Sequence, residues 1–311
     1  MSFADVEIGV APPDRQTRAL WLALASLPAE ERTANLNATL VAAKAEQTSL
    51  ADLWEARRGP QLVGAVWGAA MPGRQAVVWP AGLVPDESES TAAALHERLA
   101  ASLAVQDVRM YQSLVAQRGG VDAQRLVAAG FQHVADLQYL VCTTDRLPVA
   151  APHSALAFEC FEEKKSGAAR IARIADETYR DTLDCPRLNG VRDIDDVLAG
   201  YRQTGEFAPE RWLIVRHENR DVGCLLLADH PLDDQWELVY MGIVPAARGR
   251  GFGFQITRHA QWLTRCAGRQ RLILAVDAAN EPAIAMYSAA GFQLWNLRSA
   301  FVKTLPGAAG K

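Results

Sequence analysis

Apolar positions in the C-terminal half of the chain alternate between two periods. Arg211 to Val215 and Val222 to Ala228 are β-rich runs parted by the polar stretch His217 to Asp221, which predicts a hairpin. Glu237 to Val244 reads as a further strand, ended by Pro245 and the glycines beyond it. From Phe254 the spacing becomes helical: Ile256, Ala260 and Leu263 share one stripe, while Arg258, Gln261 and Arg265 lie off it. Leu272 to Val276 is strand-like again, Pro282 to Ala290 helical, and Phe292 to Val302 a last strand region. Alternating strands and helices with short connections predict α/β architecture, a mixed and largely antiparallel sheet flanked by helices.

The pattern occurs twice. Gly82-Leu83-Val84-Pro85 answers Gly242-Ile243-Val244-Pro245, and Ala128-Ala129-Gly130-Phe131-Gln132 answers Ala289-Ala290-Gly291-Phe292-Gln293. Upstream, Val63-Gly64 answers Val222-Gly223 in the same order and at nearly the same offset. Two tandem copies of one fold explain this, with segments 1–145 and 154–306 joined where Pro148, Pro152 and small residues interrupt the apolar pattern.

Composition narrows the class of partner. The 311 residues carry a formal net charge of −4, with no general basic face for nucleic acid, so an anionic ligand needs a local cluster. The longest apolar stretches, such as Ala19 to Leu27, are too short to span a bilayer, and no basic-then-apolar leader opens the chain. A cytoplasmic monomer or homodimer without a membrane partner is expected. The 5 cysteines and 6 histidines show neither C-x-x-C nor zinc spacing, so free thiols and no metal are expected.

Arg248-Gly249-Arg250-Gly251-Phe252-Gly253 lies between a predicted strand and a predicted helix. Glycines let backbone approach a ligand closely, and a helix start presents unpaired N–H groups to an anion. A dinucleotide fingerprint would place its third glycine where Phe254 stands. The order of these pieces resembles the GNAT superfamily of N-acetyltransferases. Its acyl-coenzyme A signature is met by Arg248, Gly251 and Gly253, and it is supported by strand Glu237 to Val244 and by the later Asn280, Tyr287 and Gly291-Phe292. Two tandem copies with the competent one last are similar to the organisation of the mycothiol synthase family.

That resemblance implies acetyl-CoA as co-substrate, with its pantetheine arm along Met241, Gly242 and Ile243. It implies pyrophosphate on the N–H groups of Arg248, Gly249, Arg250, Gly251, Phe252, Gly253 and Phe254, with Asn280 touching the cofactor. Glu237 is then either a base acting through water or a strand-end carboxylate that orients the substrate ammonium or simply faces solvent. Tyr287, a phenol with pKa near ~10, is either the acid that protonates the leaving thiolate or an aromatic packed on its helix. The acceptor of such a fold lies against the first helices and their loop, here Ala168 to Glu206, where Tyr179, Asp184 and Asn189 are candidate contacts to a small-molecule amine, the alternative for Asp184 and Asn189 being a solvated loop with helix-capping roles. The first copy has Ser88, Thr91 and Ala93 opposite Arg248, Gly251 and Gly253, and acidic Asp86-Glu87 where phosphate would bind, so it is read as a scaffold or acceptor wall. A non-catalytic acyl-CoA sensor or a protein N-acetyltransferase are the competing functions.

Overall fold

The computed structural model describes residues 5–305, in two compact units: residues 5–134 with 299–305, and residues 135–298. In the first, β1 (Glu7–Val10), β2 (Leu53–Arg58), β3 (Gln61–Met71) and β4 (Gln75–Val78) follow one another antiparallel. The short β5 (Gly82–Leu83) pairs with β3, and β6 (Met110–Val115) lies parallel to β4. Residues 299–304 add an antiparallel strand to β6. Helices α1 (Gln16–Ala23), α2 (Ala29–Lys44), α3 (Glu89–Ala104) and α4 (Val121–Ala128) complete the unit. Leu95, Leu99 and Leu103 place the buried stripe of α3 in its core.

The second unit repeats this order. It runs β8 (Ala157–Cys160), β9 (Trp212–His217), β10 (Arg220–His230) and β11 (Gln235–Ile243), all antiparallel. Then come β12 (Arg271–Asp277), parallel to β11, and β7 (Gln132–Thr143), antiparallel to β12. Helices α5 (Lys165–Tyr179), α6 (Ile194–Tyr201), α7 (Phe252–Cys266) and α8 (Glu281–Ala289) flank it. The β9–β10 hairpin turns through Glu218 and Asn219, both with positive φ, as a twisted two-residue turn requires. No helix among the described residues is long and apolar enough to cross a membrane.

The sixth strand of each unit comes from the other half of the chain. β7 follows α4 in sequence but pairs with β12, and the end of β13 (Gln293–Thr304) pairs with β6. The segments expected from the repeats, 1–145 and 154–306, follow chain order, with residue 306 outside the described range. Local periodicity marks a segment as a strand without naming its partner.

The repeated letters are repeated hydrogen bonds. Val84 N–H donates to Val63 O and Val244 N–H to Val222 O, both at 3.0 Å. After α4, Gly130 (φ +88°) N–H reaches Val127 O and Phe131 N–H reaches Leu126 O; after α8, Gly291 (φ +93°) reaches Ser288 O and Phe292 reaches Tyr287 O. This is the Schellman helix end: a left-handed glycine satisfies the last carbonyls and drops the following phenylalanine into the core. Phe131 and Phe292 are each 5% exposed.

A Cβ at Gly291 would find ordinary contact with Arg146, so the strain in Gly291→Ala is conformational. It should cost about 1–2 kcal/mol, and Phe292→Ala about 3–5 kcal/mol, measured by urea denaturation.

Candidate active site

The site begins where a strand pair stops. β11 and β12 are in parallel register from Gln235↔Arg271 to Leu238↔Leu274, yet β11 continues to Ile243 and β12 to Asp277. On the other side of β11, Leu226 pairs with Tyr240 and Leu227 with Leu238, so Val239 is an extra, bulged residue. A bulge bends its strand, and this one sits where β11 and β12 part. The opening holds a cavity of about 410 Å³, walled by residues 238–243 on one side and Ala275 and Val276 on the other. Met241, Gly242 and Ile243 therefore line the edge of β11 that β12 does not cover. Gly242 is buried, and a Cβ there would collide with Thr178 and the Tyr240 hydroxyl.

The glycine turn closes one end. Gly249 (φ +74°) and Gly251 (φ +73°) adopt left-handed backbone, and neither would meet an atom within 4 Å of an added Cβ. Conformation and open space both suit a ligand seated on backbone N–H groups at the start of α7, whose N-cap is Gly251. Gly253 also lines the cavity, close to Ile243 and Met286, while Phe252 is buried and Phe254 is 40% exposed. Neither arginine of the turn is a simple free charge. Arg250 lies over the Phe252 ring at 4.8 Å. Arg248 donates to four carbonyls: Ile243 at 3.0 Å, Asp181 at 3.0 Å, Thr178 at 2.8 Å and Arg180 at 2.7 Å. It thus ties the C-terminal end of α5 to the end of β11, where a cation also meets the negative end of the helix dipole.

From α8 come Asn280 and Tyr287. Asn280 is the N-cap, its side chain accepting from Ala283 N–H at 3.3 Å, and it lines the cavity. Tyr287 lines it too, 6% exposed and edge-on to Phe292. Burial raises its phenol well above the ordinary value, and nearby Asp184 adds to the effect, so it stays a proton donor at neutral pH. Glu237 stands apart: its carboxylate is 2.9 Å from His230 Nε2, and it is not among the residues lining this cavity. That bond raises the pKa of His230.

A second cavity of about 180 Å³ adjoins α5 and α6. Tyr179, Asp184 and Asn189 all line it, together with Cys185, Arg192, Tyr201 and Tyr240. Asp184 lines both cavities. Its position is latched: Asp184 Oδ1 accepts from Asp277 N–H at 2.9 Å, and Asp277 Oδ2 accepts from Cys185 N–H at 3.1 Å. Burial raises the Asp184 carboxyl above its ordinary value, partly offset by the Asp277 amide. Burial also pushes the Cys185 thiol up to about 12, which keeps it protonated and inert as a nucleophile. Sequence patterning passed over Tyr201, Tyr240 and Asp277. Each sits inside or at the end of a regular element, where its period reads as packing.

The corresponding turn in the first unit is built differently. Glu87 holds Arg58 through both carboxylate oxygens, at 2.9 and 3.1 Å, and accepts the Thr91 hydroxyl at 2.6 Å. The Arg58 bonds lead in holding its carboxyl down at about 2. Ser88 caps α3. Residues 84–93 contain no glycine, and the carboxylate of this turn is tied to Arg58.

The sequence model of the acetyltransferase (GNAT) family matches residues 174–292, which contain both cavities. The mycothiol acetyltransferase of Jonesia denitrificans is 27% identical over 132 residues, 35% of this chain, and the match spans 42% of that relative. Similarity of fold extends further. A GCN5-related N-acetyltransferase from Sphaerobacter thermophilus superposes with a TM-score of 0.65 at 16% identity, over 96% of this chain and 95% of that one. A tandem GNAT protein from the clavulanic acid biosynthesis pathway does so with a TM-score of 0.54 at 15% identity, over 99% of each chain.

Arg248→Met should cost about 2–4 kcal/mol in urea denaturation, because four carbonyls lose a charged donor. Arg250→Met removes only the contact of an exposed guanidinium with the Phe252 ring and should stay within about 1 kcal/mol.

Proposed function

We propose that this protein is an acetyl-CoA-dependent N-acetyltransferase acting on the amine of a small-molecule acceptor. The observation that carries this reading is Asp184, one carboxylate on the walls of two cavities of different character. The first offers an uncovered strand edge and an open glycine turn, which suit the amides and pyrophosphate of coenzyme A. The second is small and walled by polar and aromatic side chains, which suits a compact acceptor better than a peptide.

In this scheme the N–H groups around Gly249 to Phe254 hold the pyrophosphate, and the β11 edge from Met241 to Ile243 pairs with the pantetheine arm. The same edge polarises the thioester carbonyl as the charge on its oxygen grows. Asp184 accepts a proton from the acceptor ammonium, freeing the nitrogen lone pair to attack the thioester carbon. The C–N bond forms, the C–S bond breaks, Tyr287 gives its proton to the departing sulfur, and the second proton lost by the nitrogen as it becomes an amide restores the Tyr287 phenol, while Asp184 returns its own proton to solvent. Products are the amide and free coenzyme A. Glu237 is the second candidate base, acting from its bond with His230 through water. The first unit serves as scaffold, its turn closed by the Glu87–Arg58 pair.

Titration calorimetry with acetyl-CoA is the first test, and folded protein that binds none sinks the proposal. Tyr287→Phe should keep that binding and slow thiol release by on the order of 10²–10⁴-fold. A base with a raised carboxyl pKa makes kcat/KM fall on the acid side, above the ordinary aspartate value of about 3.9. Asp184→Asn should remove that limb of the profile. If Glu237→Gln removes it instead, Glu237 is the base.

A further inference from the structure

Half-buried arginines of the second unit are matched to partners, with one exception. Arg269 pairs bidentately with Asp229 at 2.8 and 2.9 Å, Arg170 holds Glu159 and Asp221, and Arg248 holds four carbonyls. Arg211 and Arg216 each leave Nε unpaired but engage a carbonyl through another nitrogen. Arg192 differs. Its Nε is buried without a hydrogen-bond partner, and no described hydrogen bond or ion pair engages its guanidinium. It lines the second cavity, near enough that its charge acts on Tyr179, Tyr201 and Cys185. A guanidinium partly withdrawn from water without an acceptor is costly, so this one calls for an acceptor brought by a ligand.

We infer that the acceptor is a zwitterionic amine: Arg192 takes its carboxylate while Asp184 receives its ammonium group. This rests on the acetyltransferase reading above and names the substrate class for that site. The same cavity is walled by three tyrosines, with the Tyr179 and Tyr240 rings stacked at 5.1 Å and those of Tyr201 and Tyr240 at 5.4 Å. The Tyr179 and Tyr201 hydroxyls bond to each other at 2.5 Å, so the rings are braced as a wall. Charge count favours carboxylate over a phosphate monoester. Asp176 and Asp184 share the cavity with the single Arg192, an environment that repels a dianion and balances a carboxylate paired with an ammonium. The planar fork of an arginine also matches the two oxygens of a carboxylate. At about 180 Å³ the cavity has room for a molecule of amino-acid size.

The test is calorimetric titration of the full chain, with coenzyme A present, using matched pairs: leucine, phenylalanine, tyrosine and tryptophan against their decarboxylated amines, with O-phosphoethanolamine added. The expected result is at least one amino acid bound tenfold or more tightly than its amine. Arg192→Met should erase that preference by weakening the acid alone, and Arg192→Lys should restore part of it. The inference is overturned if no amino acid binds, if the amines bind equally well, if O-phosphoethanolamine binds best, or if Arg192→Met weakens acid and amine alike. Should Arg192→Met fail to fold, the acid-to-amine ratio on the unmodified protein decides. Acetyl-CoA binding is measured separately: its absence sinks the acetyltransferase reading, whereas its presence without acid preference sinks only this inference.

Discussion

The end of pairing between β11 and β12 at Leu238↔Leu274 is the constraint on which the rest of the second unit depends. Parallel strands that stay in register leave no room between them; these two separate beside the Val239 bulge, opening the sheet without unravelling it. Except at Val239, β11 remains paired with β10 up to Ile243, so its backbone is anchored on one side while its other edge is free. An uncovered strand edge inside a fold is a set of unmet hydrogen bonds, and such an edge is satisfied by water or by a ligand that mimics a strand. Arg248 keeps that geometry by binding the end of β11 and the end of α5 with one side chain.

The loop after α5 is held by a different device. Asp184 and Asp277 exchange backbone bonds, each carboxylate accepting from an N–H beside the other. Two carboxylates so close would repel if both were exposed only to each other; the N–H groups stabilise them, and burial shifts Asp184 toward its protonated form. The same residue that fixes the loop thereby faces both cavities. Stability and candidate chemistry share an atom set, which concentrates perturbed titration where two pockets meet.

Comparison of the two units separates frame from site. They share strand order, the Val84 and Val244 backbone bonds and the paired Schellman ends, all set by short apolar and glycine strings. They differ at the turn that follows. Gly249 and Gly251 leave backbone open in one, whereas Glu87 locks to Arg58 in the other. A fold can thus be duplicated with its packing rules intact while a few residues decide whether an anion is welcome.

The sequence by itself determined the elements from Arg211 onward, the duplication, the glycine turn and the acidic turn of the first copy. Each is a local matter of period, φ or charge, and the observed strands and helices begin and end close to where the periods change. It also drew attention to Tyr179, Asp184 and Asn189, which the fold brings to one cavity. Only the tertiary structure decided what pairs across long separations. β7 joins β12 and β13 joins β6, Arg248 turns to carbonyls rather than standing free, Glu237 joins His230, and Tyr240 comes to stack with both Tyr179 and Tyr201. These are contacts between residues far apart in the chain, where the alternation of apolar and polar positions says which face is buried but not against what. The unmatched guanidinium of Arg192 belongs with them, because a missing partner becomes visible only when every neighbour has been placed.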